Sequence, residues 1–498
     1  MALTMAAVVF AIALYLRTGA FAGGSIDWDE ADYAVAAFRG VWANWRDQSE
    51  ALNGQLRHWH APFSIYLIAL STSAFGFAEW SVRLPGVFAS AAACAAIALA
   101  GVDLADGSFR MRLTAGGIAG VLLATAPASV GQTQTATPHS IVELLLVLNV
   151  WCLARYLRAP STKGAVWFGI SLGAQFVTME YGFIVTGFAG VAVALAATLR
   201  SGRTRTTVRE RDIVAGVVAV GAVTLALWPA GLLKAGVVQN LLYYIRYARE
   251  GFPLLFRGEL YLHVPRWAYL WWYWQDFPTL LVALLTGLLL LGVWAYRTRG
   301  AIPIVLAVFA LGLLASIHTS HIMGLKYSVF AIPPVVLGGV LAGAWGWRVL
   351  FHAEGRMGRL PRALYTTALL AIVARVAAGG VTALSPSVHA SEAKLLAVRT
   401  VPLLPSGARV IANPLPILRY VAYLEQRRLD VQFVDFAPND ARREAQSLKR
   451  LEAGDAEWAY VRIPAGGVGE SPVFKFLNAR FVLADQEGNL RLYRTPPR

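Results

Sequence analysis

The chain has 498 residues, 57% of them hydrophobic and only 15% charged, with 16 Trp and a mean hydropathy of +0.53. Soluble globular chains carry roughly 45–50% apolar and about 25% charged residues, so this composition excludes water solubility throughout and makes a membrane protein the default class. The formal charge of +15 reads first as a topology signal, since Lys and Arg accumulate in cytoplasmic loops. Two cysteines, Cys94 and Cys152, both inside apolar runs, exclude a disulfide framework and a cysteine metal site.

A spanning helix takes about 17–25 largely apolar residues. Runs of that kind lie at 2–22, 84–105, 112–130, 140–157, 163–179, 181–199, 213–233, 277–296, 301–318, 323–347 and 363–384, which predicts about eleven spans. The first run ends in Ala20-Phe21-Ala22, a small-residue pattern like a signal-peptide cleavage site. It lacks a positive leading region, so it reads as an uncleaved span. Basic clusters fall at Arg110 and Arg112; at Arg155, Arg158 and Lys163; at Arg200 to Arg211; at Arg297 and Arg299; and at Arg348 to Arg362. Placing them all in the cytoplasm makes loops 23–83, 131–139 and 234–276 and the tail 385–498 face outside. The segment 62–78 (PFSIYLIALSTSAFGFA) would break that pattern as a further span. It is short, with Ser and Gly inside, and reads as interfacial or re-entrant, the alternative being that it spans and a weaker candidate such as 163–179 does not. The expected fold is thus an α-helical polytopic membrane domain over 1–384, with juxtamembrane helices in loop 23–83.

Beyond residue 385 charges of both signs become frequent and short apolar runs alternate in character. ARVIAN, DVQFVDF, EWAYVRI, ARFVLAD and LRLYRT read as strands and LPILRYVAYLEQRR as a helix, which predicts a small extracytoplasmic α/β domain over 385–498. Its basic residues are interspersed with acidic ones, so nucleic acid is not an expected partner.

The polar chemistry concentrates outside. The first loop opens SIDWDEADYAVAAFRG, placing Asp27, Asp29, Glu30 and Asp32 directly after the first span, where they open an expected short helix over 29–39 that Trp28, Tyr33, Phe38, Trp42 and Trp45 would hold at the interface. A carboxylate fixed there suits a general base acting on a hydroxyl, against the plainer reading of ordinary loop acidity. His58 and His60 flank Trp59. Loop 234–276 interleaves a dozen aromatic residues with Arg246, Arg249, Arg257, His263 and Arg266. Its aromatics form an interfacial belt, whereas its cations run against the positive-inside bias and suit an anionic lipid headgroup. Lys326 and Tyr327 at the start of the tenth span repeat the theme, and Glu180 lies at an outer turn. Glu143 and Arg375 are ionisable residues deep within spans.

Several of these pieces occur in a recognisable order. Asp29-Glu30-x-x-Tyr33, His60-Ala61-Pro62-Phe63, Phe75-Gly76, Arg83-Leu84-Pro85-Gly86, Ala136-Thr137-Pro138-His139-Ser140 and Lys326-Tyr327 followed by Pro333-Pro334 resemble the motif series of the GT-C glycosyltransferases. The similarity is to the branch of protein O-mannosyltransferases, aminoarabinose transferases and RgtA/B/C/D-like enzymes, and it extends across residues 1–350. It implies transfer of a sugar from a polyprenyl-phosphate donor to a lipid, glycan or protein acceptor outside the cytoplasm of a bacterial inner membrane. Asp29 matches the family's general base and Glu30 its neighbour; His60 takes the place of a Lys or His near the donor phosphate. Inversion at the anomeric carbon follows, with His60, Arg246, Arg249, His263, Arg266, Lys326 and Tyr327 as the candidate groups around the donor. Ala61, Thr137 and His139 depart from the family pattern. Trp59 stands where aminoarabinose transferases carry a metal-binding Glu, so the sequence offers no clear ligand set for a divalent metal. Two other classes compete: a transporter or flippase of lipid-linked sugars, whose outer cations bind an anionic substrate, and a non-catalytic scaffold that keeps the fold.

Overall fold

The apolar runs become helices wherever the chain is described. A computed structural model of the chain describes residues 1–22, 26, 28–46, 61–179, 181–199, 209–233, 238, 242, 245, 254–256, 259–261, 265–319, 329–352, 367, 371–376, 378, 392–413, 415–433, 444–445, 448–449, 451–452, 456–462 and 471–496.

The helices of the N-terminal two-thirds are α1 (Ala2–Arg17), α2 (Gly19–Ala22), α3 (Trp28–Ala37), α4 (Val41–Arg46), α5 (Phe63–Phe75), α6 (Glu79–Leu104), α7 (Phe109–Ala124), α8 (Pro127–Gln132), α9 (His139–Arg158), α10 (Thr162–Phe176), α11 (Tyr181–Leu199), α12 (Glu210–Leu227), α13 (Pro229–Leu233), α14 (Ala268–Asp276), α15 (Pro278–Thr298), α16 (Ala301–Thr319) and α17 (Ile332–His352). Among the described residues four helical stretches are both long and apolar enough to cross a bilayer: Glu79–Leu104, His139–Arg158, Pro278–Thr298 and Val329–Val349. Shorter apolar helices accompany them, Phe63–Phe75 among them. At 1.5 Å per residue the 13 residues of α5 reach only about 20 Å, less than a hydrocarbon core of about 30 Å. The expected run 363–384 lies largely outside the described residues.

The expected run 112–130 is interrupted. Pro127 disfavours the helical region for the residue before it, and Ala126 is extended (φ −64°, ψ 113°), so α7 stops at Ala124 and α8 restarts with Pro127 in its first turn.

Helix α6 is the axis of the bundle, packed against α1, α7 and α9, while α10 sits between α9 and α12, and α15 and α16 pack on α17. Small residues set the closest approaches. A Cβ placed on Gly116 of α7 would lie 2.4 Å from the Ala98 carbonyl oxygen of α6, and one on Gly169 of α10 would lie 2.3 Å from the Gly216 carbonyl of α12. Close backbone contact of this kind is how helices associate in lipid, where burying apolar side chains against each other gains little.

After a short antiparallel pairing of β1 (Leu254–Phe256) with β2 (Glu259–Tyr261), the remaining strands lie near the C-terminus: β3 (Arg409–Asn413), β4 (Asp430–Phe433), β5 (Trp458–Arg462), β6 (Val482–Glu487) and β7 (Leu490–Arg494). They form one mixed sheet in the order β4-β3-β5-β7-β6. The β3 strand pairs parallel with β4 and β5, in register at Ile411 and Ala459, and β7 pairs antiparallel with β5 and β6. Helices α18 (Glu392–Thr400), α19 (Leu415–Leu424) and α20 (Pro472–Arg480) accompany the sheet. The expected strand ARFVLAD begins later than its apolar run. Ala479 and Arg480 finish α20, which Pro472 opens and whose Val473, Phe474 and Leu477 bury one face.

This sheet unit is not walled off from the segment between α1 and α6. Ile26, Ala31, Tyr33, Ala34, Ala37, Phe38, Ile65 and Ile68 share one hydrophobic cluster with Leu396, Val410, Ile417, Tyr420, Val421 and Leu492.

Candidate active site

Helix α3 begins where the acidic loop reaches the bundle, and its alanine-rich sequence lets it lie close to its neighbours. Ala31 and Ala34 are wholly buried and Ala37 nearly so, between α5 on one side and α19 on the other. The C-terminal end of α3 is closed by the side chain of Asn44, whose Nδ2 donates to the Ala36 carbonyl and to the Gly40 carbonyl, both at 2.8 Å. Gly40 takes φ +85°, a conformation that suits glycine in this turn.

The backbone of Asp29 lies in the first turn of α3, and its side chain lies outside the described atoms. Glu30 is 1% exposed and accepts two hydrogen bonds from Arg83, from Nε at 2.8 Å and from Nη2 at 3.0 Å. Its Oε1 also accepts from the Ala136 amide at 2.7 Å. Arg83 is itself 1% exposed, near the start of α6. Three motif pieces widely separated in sequence therefore meet on one carboxylate: Asp29-Glu30, Arg83-Leu84-Pro85 and Ala136-Thr137-Pro138. A charge buried this deeply persists only when it is paired and hydrogen-bonded.

The turn that supplies Ala136 is a polar knot. His139 Nδ1 hydrogen-bonds with Thr137 Oγ1 at 2.9 Å, Gln132 Nε2 donates to Thr135 Oγ1 and Thr137 Oγ1 at 3.2 Å each, and the His139 ring stacks on Phe330 with centroids 5.5 Å apart. The remaining helices of the first loop are tied to the ends of α10 and α12. The Phe63 amide donates to the Val177 carbonyl at 2.9 Å, Tyr66 Oη to the Leu227 carbonyl at 2.9 Å, and Trp45 Nε1 to the Ala226 carbonyl at 2.8 Å.

Of the cations singled out in sequence, Arg266 is described and exposed, in the turn before the aromatic helix α14. His60, Arg246, Arg249, His263, Lys326 and Tyr327, and Glu180, lie outside the described residues.

Below the Glu30 pair lies a second buried network, of which sequence reasoning picked out only Glu143. Arg17 of α1, 1% exposed, donates from Nε to Ser90 Oγ at 2.8 Å and from Nη2 to Ser129 Oγ at 3.0 Å. Both hydroxyls in turn donate to Glu143, Ser90 at 3.0 Å and Ser129 at 2.9 Å. The signal for Arg17 was there to be read: it is the one charge in an apolar run of sixteen residues. This network joins α1, α6, α8 and α9.

The far end of α6 carries opposite chemistry. Asp103 accepts from Trp151 Nε1 at 2.9 Å, and Asp106 faces Arg158 at 3.4 Å and Arg348 at 3.3 Å. Arg83 and Asp103 are twenty residues apart in one helix, about 30 Å and so close to the thickness of a hydrocarbon core.

The comparisons agree with this layout. Residues 59–228, a segment that contains Arg83, Ala136 and His139, match the family model of dolichyl-phosphate-mannose-protein mannosyltransferases. No curated protein matches the chain in sequence. Among solved structures, the crystal structure of ArnT from Cupriavidus metallidurans bound to undecaprenyl phosphate aligns over 99% of both chains, with a TM-score of 0.66 at 13% identity. The archaeal oligosaccharyltransferase AglB from Archaeoglobus fulgidus, in complex with an inhibitory peptide and a dolichol-phosphate, covers 93% of this chain and 69% of its own, with a TM-score of 0.61 at 12% identity. The arabinofuranosyltransferase AftD from Mycobacteria covers 99% of this chain and 40% of its own, with a TM-score of 0.55 at 16% identity. Residues 59–228 thus carry the signature of this mannosyltransferase family, and the chain as a whole has the fold of these solved structures.

Proposed function

We propose that the chain transfers a sugar from a polyprenyl-phosphate donor to a hydroxyl of a lipid, glycan or protein acceptor on the extracytoplasmic face of a bacterial inner membrane. The carrying observation is the Glu30 knot, which seats the first turn of α3, and with it Asp29, against the two motif segments of the matched region. In this reading Asp29 takes the acceptor proton, the acceptor oxygen attacks the anomeric carbon, and the polyprenyl phosphate departs from the opposite face, so the product is inverted. Glu30 holds the helix, since both its oxygens are engaged by Arg83 and one also by Ala136.

The leaving phosphate accumulates charge, and cations of the outer loops, Arg266 with His60, Arg246, Arg249, His263 and Lys326, are the groups suited to stabilise it, Tyr327 adding a phenol donor. Support for such a donor comes from the fold neighbours, one bound to undecaprenyl phosphate and another to a dolichol-phosphate. About eleven spans, with the basic ends of the helices in the cytoplasm and the sheet unit of residues 385–498 outside, follow from the charge pattern.

The test is transfer by purified, detergent-solubilised protein from radiolabelled polyprenyl-phosphate sugars to a membrane extract, wild type against Asp29→Asn. Transfer by the wild type alone supports the proposal, and equal transfer by both removes Asp29 from the chemistry. Movement of a lipid-linked sugar across vesicles with no new glycosidic product favours a flippase instead.

A further inference from the structure

The sheet unit is bound to the helix that carries Asp29 by a set of rings that the transfer mechanism leaves unused. Phe38, the residue that follows α3, lies flat against Tyr423 of α19 with centroids 4.4 Å apart and planes 25° apart, and it stacks on Tyr420 at 5.7 Å. Phe77, at the α5–α6 turn, closes the group edge-on, 4.8 Å from Phe38 and 5.1 Å from Tyr423. Tyr423 Oη donates to the Phe38 carbonyl at 3.1 Å. That carbonyl lies just past the end of α3, where no helical amide reaches it. A second tie runs from Lys394 of α18 to Glu79, the first residue of α6 and four residues before Arg83. Tyr420 is wholly buried, and its phenol is pushed above its ordinary value by burial and then by the nearby carboxylates of Glu79 and Glu30, so it stays neutral beside the Arg83–Glu30 pair.

Resting on the reading of Asp29 as the base, we infer that Tyr423, with Tyr420 and Phe38, is a positioning element of the transfer site: the sheet unit fixes the tilt of α3 and thereby the placement of Asp29. The mechanics are simple. Asp29 and Phe38 stand nine residues apart on one helical segment, about 13 Å. The Glu30–Arg83 pair is a pivot close to the reacting end, and the ring clamp holds the other. With the clamp released, α3 can swing about that pivot, and displacing a reacting group by about 1 Å costs on the order of 100-fold in rate. The cations proposed for the donor phosphate lie on segments other than α3, so the loss falls on kcat and not on the donor KM.

The experiment uses the full-length protein in detergent, with Tyr423→Ala and Tyr423→Phe. Tyr423 is 41% exposed, which keeps either change from opening a deep cavity. Two readouts are taken: amide hydrogen exchange of peptides covering 28–37, and kcat and donor KM for transfer. The expected result for Tyr423→Ala is faster exchange over 28–37 with unchanged exchange in α9, and kcat lowered roughly 10- to 100-fold at an unchanged donor KM. Tyr423→Phe, which keeps the stack and loses only the hydroxyl, is expected to recover kcat to within about threefold of wild type. Unchanged exchange over 28–37 in Tyr423→Ala overturns the clamp whatever reaction the protein catalyses, and faster exchange with wild-type kcat overturns its link to transfer. Equal transfer by wild type and Asp29→Asn removes the base assignment and leaves the exchange result standing, so the two failures are told apart.

Discussion

Replacing Glu30 by Leu tests whether the buried carboxylate is the pin that seats α3. Glu30 and Arg83 are each 1% exposed, and the carboxylate accepts two guanidinium hydrogen bonds and one amide hydrogen bond, at 2.8, 3.0 and 2.7 Å. Removing it strands a buried guanidinium, which costs about 3–5 kcal/mol. The Ala136 amide left without this acceptor adds about 1 kcal/mol. Arg83→Met strands the carboxylate and costs a similar amount. The double variant Glu30→Leu, Arg83→Met strands neither charge and keeps only the amide penalty, so it is expected to be less destabilised than either single variant, by about 2 kcal/mol or more. Unfolding in mixed detergent micelles, followed by tryptophan fluorescence, measures all four corners of the cycle. A double variant destabilised by the sum of the two singles would refute the coupling, and with it the view that this pair seats α3.

Three further outcomes follow from the packing. Gly116→Ala places a methyl 2.4 Å from the Ala98 carbonyl, forcing α6 and α7 apart, and is expected to lower stability by about 1–3 kcal/mol in the same unfolding measurement, while Gly187→Ala, with open space around it, leaves it unchanged. The Tyr420 hydroxyl has no hydrogen-bond partner among the described residues, so Tyr420→Phe is expected to be neutral or slightly stabilising in thermal melts, whereas a loss of 2 kcal/mol or more would mean that the hydroxyl is bonded. Glu143→Leu removes the acceptor of Ser90 and Ser129 and leaves Arg17 buried without its counter-charge, and is expected to cost about 3–5 kcal/mol. Arg17→Met added to it should recover most of that loss, as the fraction surviving detergent extraction at raised temperature will report.

The sequence carried the helical membrane character of the chain because apolar runs of span length leave the backbone little choice but helix, and the motif order named the fold before any distance was known. The strands around ARVIAN, DVQFVDF, EWAYVRI and LRLYRT were legible for a related reason, since β-branched and aromatic runs bounded by turn residues mark strands locally. Local signals were weaker where a proline decided the outcome: Pro127 opens a helix inside the expected run 112–130, and the helix that Pro472 opens takes the first two residues of the expected strand ARFVLAD.

What remained hidden was every pairing between distant residues. Glu30 looked like a companion to Asp29 in an exposed loop, and nothing in its neighbourhood told of Arg83, 53 positions away, or of the Ala136 amide, 106 positions away. Arg17 passed unremarked inside the first apolar run, 2–22, yet it sits among Ser90, Ser129 and Glu143 because three further segments close around it. The boundary in composition near residue 385 gave no sign that Tyr420 and Tyr423 would pack on Phe38, since an aromatic residue on an amphipathic helix is compatible with any apolar partner. Periodicity and charge bias are properties of a segment and its solvent, so the chain alone determines them. Ion pairs, ring stacks and close backbone approaches depend on which segments the fold brings together, and that the tertiary structure alone decided.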